Sequence, residues 1–182
     1  ISYTIIILFV LANLGLINGQ IISEKYLNLF LLILLLLLFL NIFNILMIGD
    51  SGAYLIGFFL GFIIINSHIN NLAISPYFYI SLIWYPCFEN LFSIIRKLNK
   101  KFSPLNPDNK HLHQLVFFFL KKRFNFSFIF SNNLSSAVLI FFNFLIIYTS
   151  SLNPLSTMYQ VKLIMFSILV VIWPNLPRAV IS

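Results

Sequence analysis

The apolar stretch LFLLILLLLLFL, residues 29–40, contains no polar residue and decides the fold class of this chain. Glu24 and Lys25 precede it and Asn41 follows it, so polar residues bound the run on both sides. A helix that crosses a membrane needs roughly 20 mainly apolar residues, because its backbone has to pair with itself in lipid. We therefore predict a membrane-spanning helix at residues 27–48.

Composition extends this prediction to the whole chain. Of the 182 residues, 60% are hydrophobic and 8% are charged, whereas an ordinary soluble domain has about 25% charged residues. So few charges cannot cover a water-facing surface, and lipid has to cover it instead. A soluble globular protein is thereby excluded. Because the chain begins at Ile1 inside an apolar run, we interpret it as a piece of a longer protein.

Five further segments approach the length of a membrane span. With residues 27–48, the predicted spans are residues 3–17, 53–66, 74–95, 134–148 and 161–173. We therefore predict an all-α membrane protein, a polytopic bundle of about six transmembrane helices. We expect a single membrane domain over residues 1–182.

One connection carries most of the positive charge. Residues 96–123 contain eight of the eleven Lys and Arg residues, and such an excess marks the cytoplasmic side of a membrane. We predict a cytoplasmic loop at residues 96–126 with a short helix that begins near Asn109, after Pro104 and Pro107. Threading the spans from this loop puts the turn at residues 49–51 inside as well. Because the charge is confined to one loop, no pattern supports nucleic-acid binding.

Asp50 lies in MIGDSG, residues 47–52, between two apolar segments. An ionised carboxylate in lipid is costly unless a cation, a basic side chain or water accompanies it. Asp50 is therefore either the cap of the following helix, a position that favours Asp, or a functional carboxylate. The two roles are compatible, and the sequence leaves both open.

A second polar feature is SPLNPDNKHLHQ, residues 103–114, which contains Asp108, Lys110, His111 and His113. The two histidines are two positions apart and point in different directions on a helix, which argues against a zinc site shared by both. Two imidazoles beside a lysine suit an anionic, oxygen-rich ligand. A merely solvated polar loop is the alternative.

The basic run KKR at residues 121–123 follows one apolar run and precedes another. It predicts either an interfacial helix on anionic lipid or charges that only set the topology. Both interpretations remain open.

Together the motifs resemble the C-terminal half of the polyprenyl-phosphate N-acetylhexosamine-1-phosphate transferases, glycosyltransferase family 4. MIGDSG at 47–52 and LIGF at 55–58 are similar to the family's Gly-Asp-x-Gly segment, which opens a membrane helix. PCFE at 86–89, RK at 96–97 and the loop at 103–113 are similar to its next helix and its histidine loop. The motifs cover roughly residues 40–125, and hydropathy alone covers the remainder.

The resemblance implies a magnesium-dependent enzyme that transfers a sugar 1-phosphate from a UDP-N-acetylhexosamine to undecaprenyl phosphate. Such a step initiates a cell-envelope glycan, for example a lipopolysaccharide. By the resemblance, Asp50 would bind the catalytic Mg²⁺, and His111 and His113 would act in catalysis. The same histidines, with Asp108 and Lys110, would contact the sugar nucleotide. The implied location is the bacterial inner (plasma) membrane, multi-pass, with the active face in the cytoplasm, and a homo-oligomer stays open.

Three residues depart from the family pattern and leave the sugar open. Glu89 stands where Asp is common, Asn109 where Arg is common, and Gln114 where a third His is common. The family's paired aspartates would precede Ile1, so we expect the chain alone to be incomplete for catalysis. Two other classes remain as alternatives. A transporter or channel fragment predicts carboxylates near the middle of the bilayer, and a non-catalytic membrane scaffold needs no functional carboxylate.

Overall fold

A computed structural model of the chain describes residues 1–17, 24–43, 45–46, 48–99, 112–125 and 127–172. Within these ranges every regular element is an α-helix, which confirms the prediction of an all-α protein. The helices are α1 Ser2–Asn13, α2 Glu24–Ile42, α3 Gly49–Asn70, α4 Pro76–Leu82, α5 Trp84–Asn99, α6 Leu112–Phe124, α7 Phe128–Leu152 and α8 Thr157–Ile172.

Three of these helices are long and apolar enough to cross a membrane. They are α2 over Lys25–Ile42, the whole of α3, and α7 over Phe130–Leu152. Two other apolar helices are shorter than a span, α1 with 12 residues and α8 with 16. The three long helices support the prediction of a membrane protein, whereas the predicted number of about six spans is not confirmed.

The span predicted at residues 74–95 is not confirmed as a single helix, because α4 and α5 are separate helices on either side of Ile83. Pro86 explains the division, since it has no N–H and its ring clashes with the carbonyl four residues earlier, that of Leu82. The hydroxyl of Tyr3 in α1 donates a hydrogen bond to this carbonyl. A side chain of another helix thus replaces the donor that proline lacks.

The chain forms two compact units. The first contains Ile1–Leu82 and Ile147–Lys162, and the second contains Ile83–Ile146 and Leu163–Ser182. In the first unit the fully buried apolar side chains include Leu8, Phe78 and Leu82. In the second unit Trp84, Phe88 and Ile146 form the core, and residues of α5, α7 and α8 pack against it. The single membrane domain stays a prediction.

Gln160 closes the hairpin between α7 and α8 in the first unit. Its side chain is fully buried. Its Nε2 donates to the carbonyls of Ser150 and Asn153 at 2.8 and 2.9 Å, and its Oε1 accepts from Ser150 Oγ at 2.7 Å. The last carbonyls of a helix have no partner in the helix itself. One buried amide therefore satisfies two carbonyls at the end of α7.

The segment that follows α1 is held in a similar way. The carbonyl of Leu16 accepts hydrogen bonds from Ser67 Oγ at 3.0 Å and from Asn71 Nδ2 at 3.3 Å. The hydroxyl of Tyr79 in α4 donates to the carbonyl of Ser67 at 3.2 Å. Polar side chains thus join this segment, α3 and α4 through backbone carbonyls.

We expect Gln160→Met to destabilise the full chain in detergent micelles by about 1–2 kcal/mol, because the side-chain volume is kept while the carbonyls of Ser150 and Asn153 retain only long backbone donors at 3.4 Å. The measurement is the SDS fraction at which helical circular dichroism is half lost. The control is Lys162→Met, at an exposed position of the same helix. If both variants unfold at the same SDS fraction as the unmodified chain, the amide contributes no net stability.

Candidate functional site

The beginning of α3 has a backbone geometry that requires glycine. Gly49, the first residue of the helix, has a φ of 65°, a left-handed conformation that is costly for residues with a Cβ. A Cβ on Gly52 would overlap Cγ2 of Ile48. The absence of a side chain at Gly52 therefore lets Ile48 lie against the first turn of the helix. The backbone conformation at Gly49 and the contact with Ile48 at Gly52 thus explain both glycines of the GDSG sequence.

This geometry places Asp50 in the first turn of α3, where it is exposed. The interpretation of Asp50 as the helix cap is wrong, because the N-cap is Ile48 and no side chain forms a cap hydrogen bond. Within the described ranges the Asp50 carboxylate has no hydrogen bond or ion pair. The dipole of α3 favours a negative charge at this end. The carboxylate therefore serves no contact of the fold within the described ranges.

The length of α3 defines the depth of Asp50. With 22 residues and a rise of 1.5 Å per residue, α3 is about 33 Å long, slightly more than the roughly 30 Å hydrocarbon core of a bilayer. Asp50 is the second residue of this helix. When α3 spans the bilayer, the carboxylate thus lies at one boundary of the membrane and not at its centre.

The second unit contains a histidine paired with a carboxylate. His113 is the second residue of α6, and its Nδ1 lies 3.2 Å from Oε1 of Glu89 in α5. The Glu89 side chain is 17% exposed and that of His113 is 55% exposed, so the carboxylate is shielded and the imidazole faces outward. A carboxylate beside Nδ1 favours the tautomer that carries its proton on Nδ1. Glu89 therefore favours one orientation of the His113 ring and the tautomer with its proton on Nδ1.

Glu89 belongs to a polar edge of α5, which we define as Tyr85, Glu89, Ser93 and Lys97. These residues repeat every four positions, so they lie on one face of the helix. The hydroxyl of Tyr85 also hydrogen-bonds to the Glu89 carboxylate. The sequence interpretation assigned Glu89 no role, and this four-residue spacing is the signal that points to it.

The remaining predicted site residues, Asp108, Lys110 and His111, lie outside the described ranges, and their roles stay predictions. Asp50 belongs to the first unit and His113 to the second, and each is described within its own unit. These two residues and the Glu89 partner are the part of the predicted site for which a geometry is established.

The fit of Mg²⁺ to these residues depends on Asp50. Across the described ranges, no group of three or more His, Cys, Asp and Glu side chains could hold a metal ion. Mg²⁺ is usually bound by one or two carboxylates together with substrate phosphates and water, and not by a cage of protein ligands. The exposed Asp50 carboxylate, which has no other contact in the described chain, fits the role of the one protein ligand in such a site.

Comparison with known protein families, characterised proteins and solved structures found no match to this chain. Fold and composition define its class as an all-helical protein with three helices able to cross a membrane. The resemblance to the transferases stays a prediction from the sequence motifs at residues 47–58 and 86–113.

We expect Gly52→Ala to destabilise the first turn of α3 by about 1–3 kcal/mol, because the new methyl group overlaps Ile48. The double variant Ile48→Ala/Gly52→Ala should recover most of this loss, because Cγ2 is then absent. Hydrogen exchange of the amides at the start of α3 reports the effect.

Gly57→Ala in the same helix is the matched control, since a Cβ there meets nothing within 4 Å. Alanine has the higher helix propensity, so this variant should be neutral or slightly stabilising. Equal effects at positions 52 and 57 would contradict the steric role of Gly52.

We expect Glu89→Gln to shift the tautomer population of His113 away from the Nδ1-protonated form, because a neutral amide is a weaker acceptor than a carboxylate. The fold should persist, because a pair with one exposed partner contributes only about 0–1 kcal/mol. Nitrogen-15 NMR of labelled histidine in micelles measures the tautomers, and His113→Gln assigns the signal. Asn90→Asp, at the exposed neighbouring position, is the control. An unchanged His113 signal in Glu89→Gln would show that the pair is absent in solution.

Proposed function

We propose that this chain is the C-terminal part of a magnesium-dependent transferase that passes a sugar 1-phosphate from a UDP-N-acetylhexosamine to undecaprenyl phosphate. The observation that carries the proposal is the exposed carboxylate of Asp50 at the first turn of α3, without a partner in the described chain. Two glycines form the helix start that presents it. A carboxylate that the fold does not use, at the boundary of a membrane-spanning helix, suits a divalent cation.

The proposed reaction joins a soluble donor to a lipid acceptor. An oxygen of the lipid phosphate attacks the phosphorus that carries the sugar, the bond from this phosphorus to the bridging oxygen breaks, and UMP leaves with the electron pair. When bound, Mg²⁺ would neutralise the charge of the diphosphate. Positioning and charge stabilisation supply most of the catalysis in phosphoryl transfer. The side chains of this chain therefore need only bind and orient the reactants.

In this proposal each site residue has one task. Asp50 holds the cation at the membrane boundary. His113, oriented by Glu89 at 3.2 Å from Nδ1, accepts a hydrogen bond at Nε2 from a hydroxyl group of the sugar nucleotide, and His111 acts on the same substrate. Asp108 and Lys110 contact the same substrate. A charge-assisted hydrogen bond is shorter and stronger than a neutral one, which suits a phosphate-bearing donor.

The membrane arrangement is part of the same proposal. The excess of Lys and Arg at residues 96–123 supports a cytoplasmic location of the histidine loop. In the six-span arrangement, α1, the α4–α5 pair and α8 are the crossings besides the three long helices. The protein would then lie in a bacterial inner (plasma) membrane, where a cytoplasmic UDP-sugar meets a lipid phosphate, and would begin a cell-envelope glycan. The proposal is compatible with a homo-oligomer.

The positions of the carboxylates favour this enzyme over a transporter or channel. Ion pathways place ionisable residues near the middle of the bilayer. Asp50 lies at an end of α3, and Glu89 is engaged by His113 and Tyr85. Neither carboxylate has the features of a transport site.

In the complete parent protein, we expect Asp50→Asn to reduce Mg²⁺-dependent transfer by about 100-fold or more, because an amide binds a hard cation far less well than a carboxylate. The assay follows labelled sugar from the UDP-sugar to undecaprenyl phosphate over a range of Mg²⁺ concentrations. Ser51→Ala, at an exposed position of the same helical turn, is the control and should keep near-normal activity.

Two outcomes would contradict the proposal in different ways. Full activity of Asp50→Asn at every Mg²⁺ concentration would refute the metal role of Asp50. Absence of transfer by the unmodified parent protein with any UDP-N-acetylhexosamine would refute the enzyme class and favour a membrane scaffold.

A further inference from the structure

The last turn of α6 presents three consecutive cations, Lys121, Lys122 and Arg123, all of them exposed. Within the described ranges no carboxylate pairs with them, and the Glu89 carboxylate is engaged by His113. Three like charges in one helical turn repel one another, so they are stabilised by an anionic partner.

Aromatic contacts hold this turn of α6 against the beginning of α7. The rings of Phe117 and Phe128 meet edge to face, with centroids 5.2 Å apart. Lys121 Nζ lies 5.9 Å from the centroid of the first ring and 5.5 Å from that of the second, within the range of cation–π attraction. Asn125, at φ 53°, follows the last residue of α6, and its N–H donates to the Lys121 carbonyl at 3.0 Å. Lys121 therefore joins the two helices.

Two exposed phenylalanines accompany these cations: Phe124 follows Arg123 in the chain, and Phe128 lies under Lys121. We define the basic corner as Lys121, Lys122, Arg123, Phe124 and Phe128. Its two phenylalanines are 54% and 64% exposed. Rings of this size are unfavourable in water, whereas cations among them are unfavourable in hydrocarbon. The boundary between lipid tails and headgroups accommodates both.

The span in α7 locates the basic corner at that boundary. The apolar part of α7 that is long enough to cross a membrane begins at Phe130, two residues after Phe128. The corner thus directly precedes the hydrocarbon region, at the depth of the phosphates. A partner at this depth is a lipid headgroup of the same bilayer, whereas a soluble acidic protein would approach from the aqueous side.

We propose that the basic corner binds the headgroups of anionic phospholipids, with Lys122 and Arg123 on the lipid phosphates and Lys121 holding the corner in place. The proposal goes beyond the transferase and does not depend on it. It also separates the two interpretations of the basic run. Charges that only set the topology need no preference among lipids, whereas a headgroup site requires one.

The test compares lipid preference in the full chain, reconstituted in phosphatidylcholine bilayers that contain a fixed fraction of phosphatidylglycerol. Electron paramagnetic resonance of spin-labelled phosphatidylglycerol and phosphatidylcholine gives the ratio of their association with the protein. We expect a preference for phosphatidylglycerol that falls about 25-fold in Lys122→Gln/Arg123→Gln, since each of the two cations near an anionic surface contributes about fivefold in affinity. Lys25→Gln/Lys162→Gln removes two exposed lysines elsewhere and should keep the preference.

The outcomes are distinguishable. An equal loss of preference in both double variants would show that only total charge matters, and it would overturn the site. An unchanged preference in Lys122→Gln/Arg123→Gln, together with lost binding of the soluble polyanion heparin, would assign the corner to an aqueous partner and would also overturn it. Helical circular dichroism of each variant verifies the fold, which should persist because the substituted side chains are exposed.

Discussion

Carbonyl groups at helix ends have no donor within their own helix, and burial removes water as a partner, and this constraint organises the first unit. The Leu82 carbonyl, which Pro86 leaves without a helical donor, accepts from Tyr3. The carbonyl of Leu16 accepts two side-chain donors, and Gln160 donates to two carbonyls at the end of α7. In each case a polar side chain supplies what water supplies to a soluble protein. The same bonds join elements that are far apart in the chain.

The polar residues of the candidate site differ from these structural ones in exposure. Gln160 is fully buried with its amide engaged, whereas Asp50 is exposed and has no partner in the described chain. A buried polar group in lipid that lacks a partner is costly, so buried polar residues serve the fold. The exposed carboxylate of Asp50 at the start of α3 is not needed to satisfy a buried polar group of the fold. This contrast is the physical reason to separate Asp50 from the polar residues that hold the helices together.

The second unit combines opposite charges and aromatic rings at its polar end. Glu89 is shielded and engages the more exposed His113, while Lys121 lies over two phenylalanine rings. Both arrangements restrict a flexible charged side chain by contact with a neighbouring helix or helix end. An oriented charge binds a phosphate at a lower entropy cost than a freely rotating one. Sugar nucleotides and phospholipids both carry phosphate. A location at the membrane boundary therefore suits both the proposed sugar-nucleotide contact and the proposed headgroup contact.

Hydropathy by itself determined the helical membrane class and the apolar segment of α2, because the need for roughly 20 apolar residues is a local property of the chain. The sequence also indicated the helix start at MIGDSG and the importance of Asp50, since two glycines around a carboxylate between apolar segments are visible without a structure. It placed the start of the span in α7 at residue 134, whereas α7 begins at Phe128, because the helix includes the polar residues Ser131, Asn132 and Asn133 that precede the predicted apolar run.

Only the tertiary structure decided which side chains complete the helix ends and which partner His113 receives. Glu89 and His113 are 24 positions apart, and no periodicity in the sequence relates two residues on different helices. Pro86 marks a break in α4–α5 locally, but the choice of Tyr3 as the replacement donor depends on how α1 packs. The physical reason is the same in both cases. A spacing rule describes one helix, whereas a hydrogen bond between helices depends on their relative position.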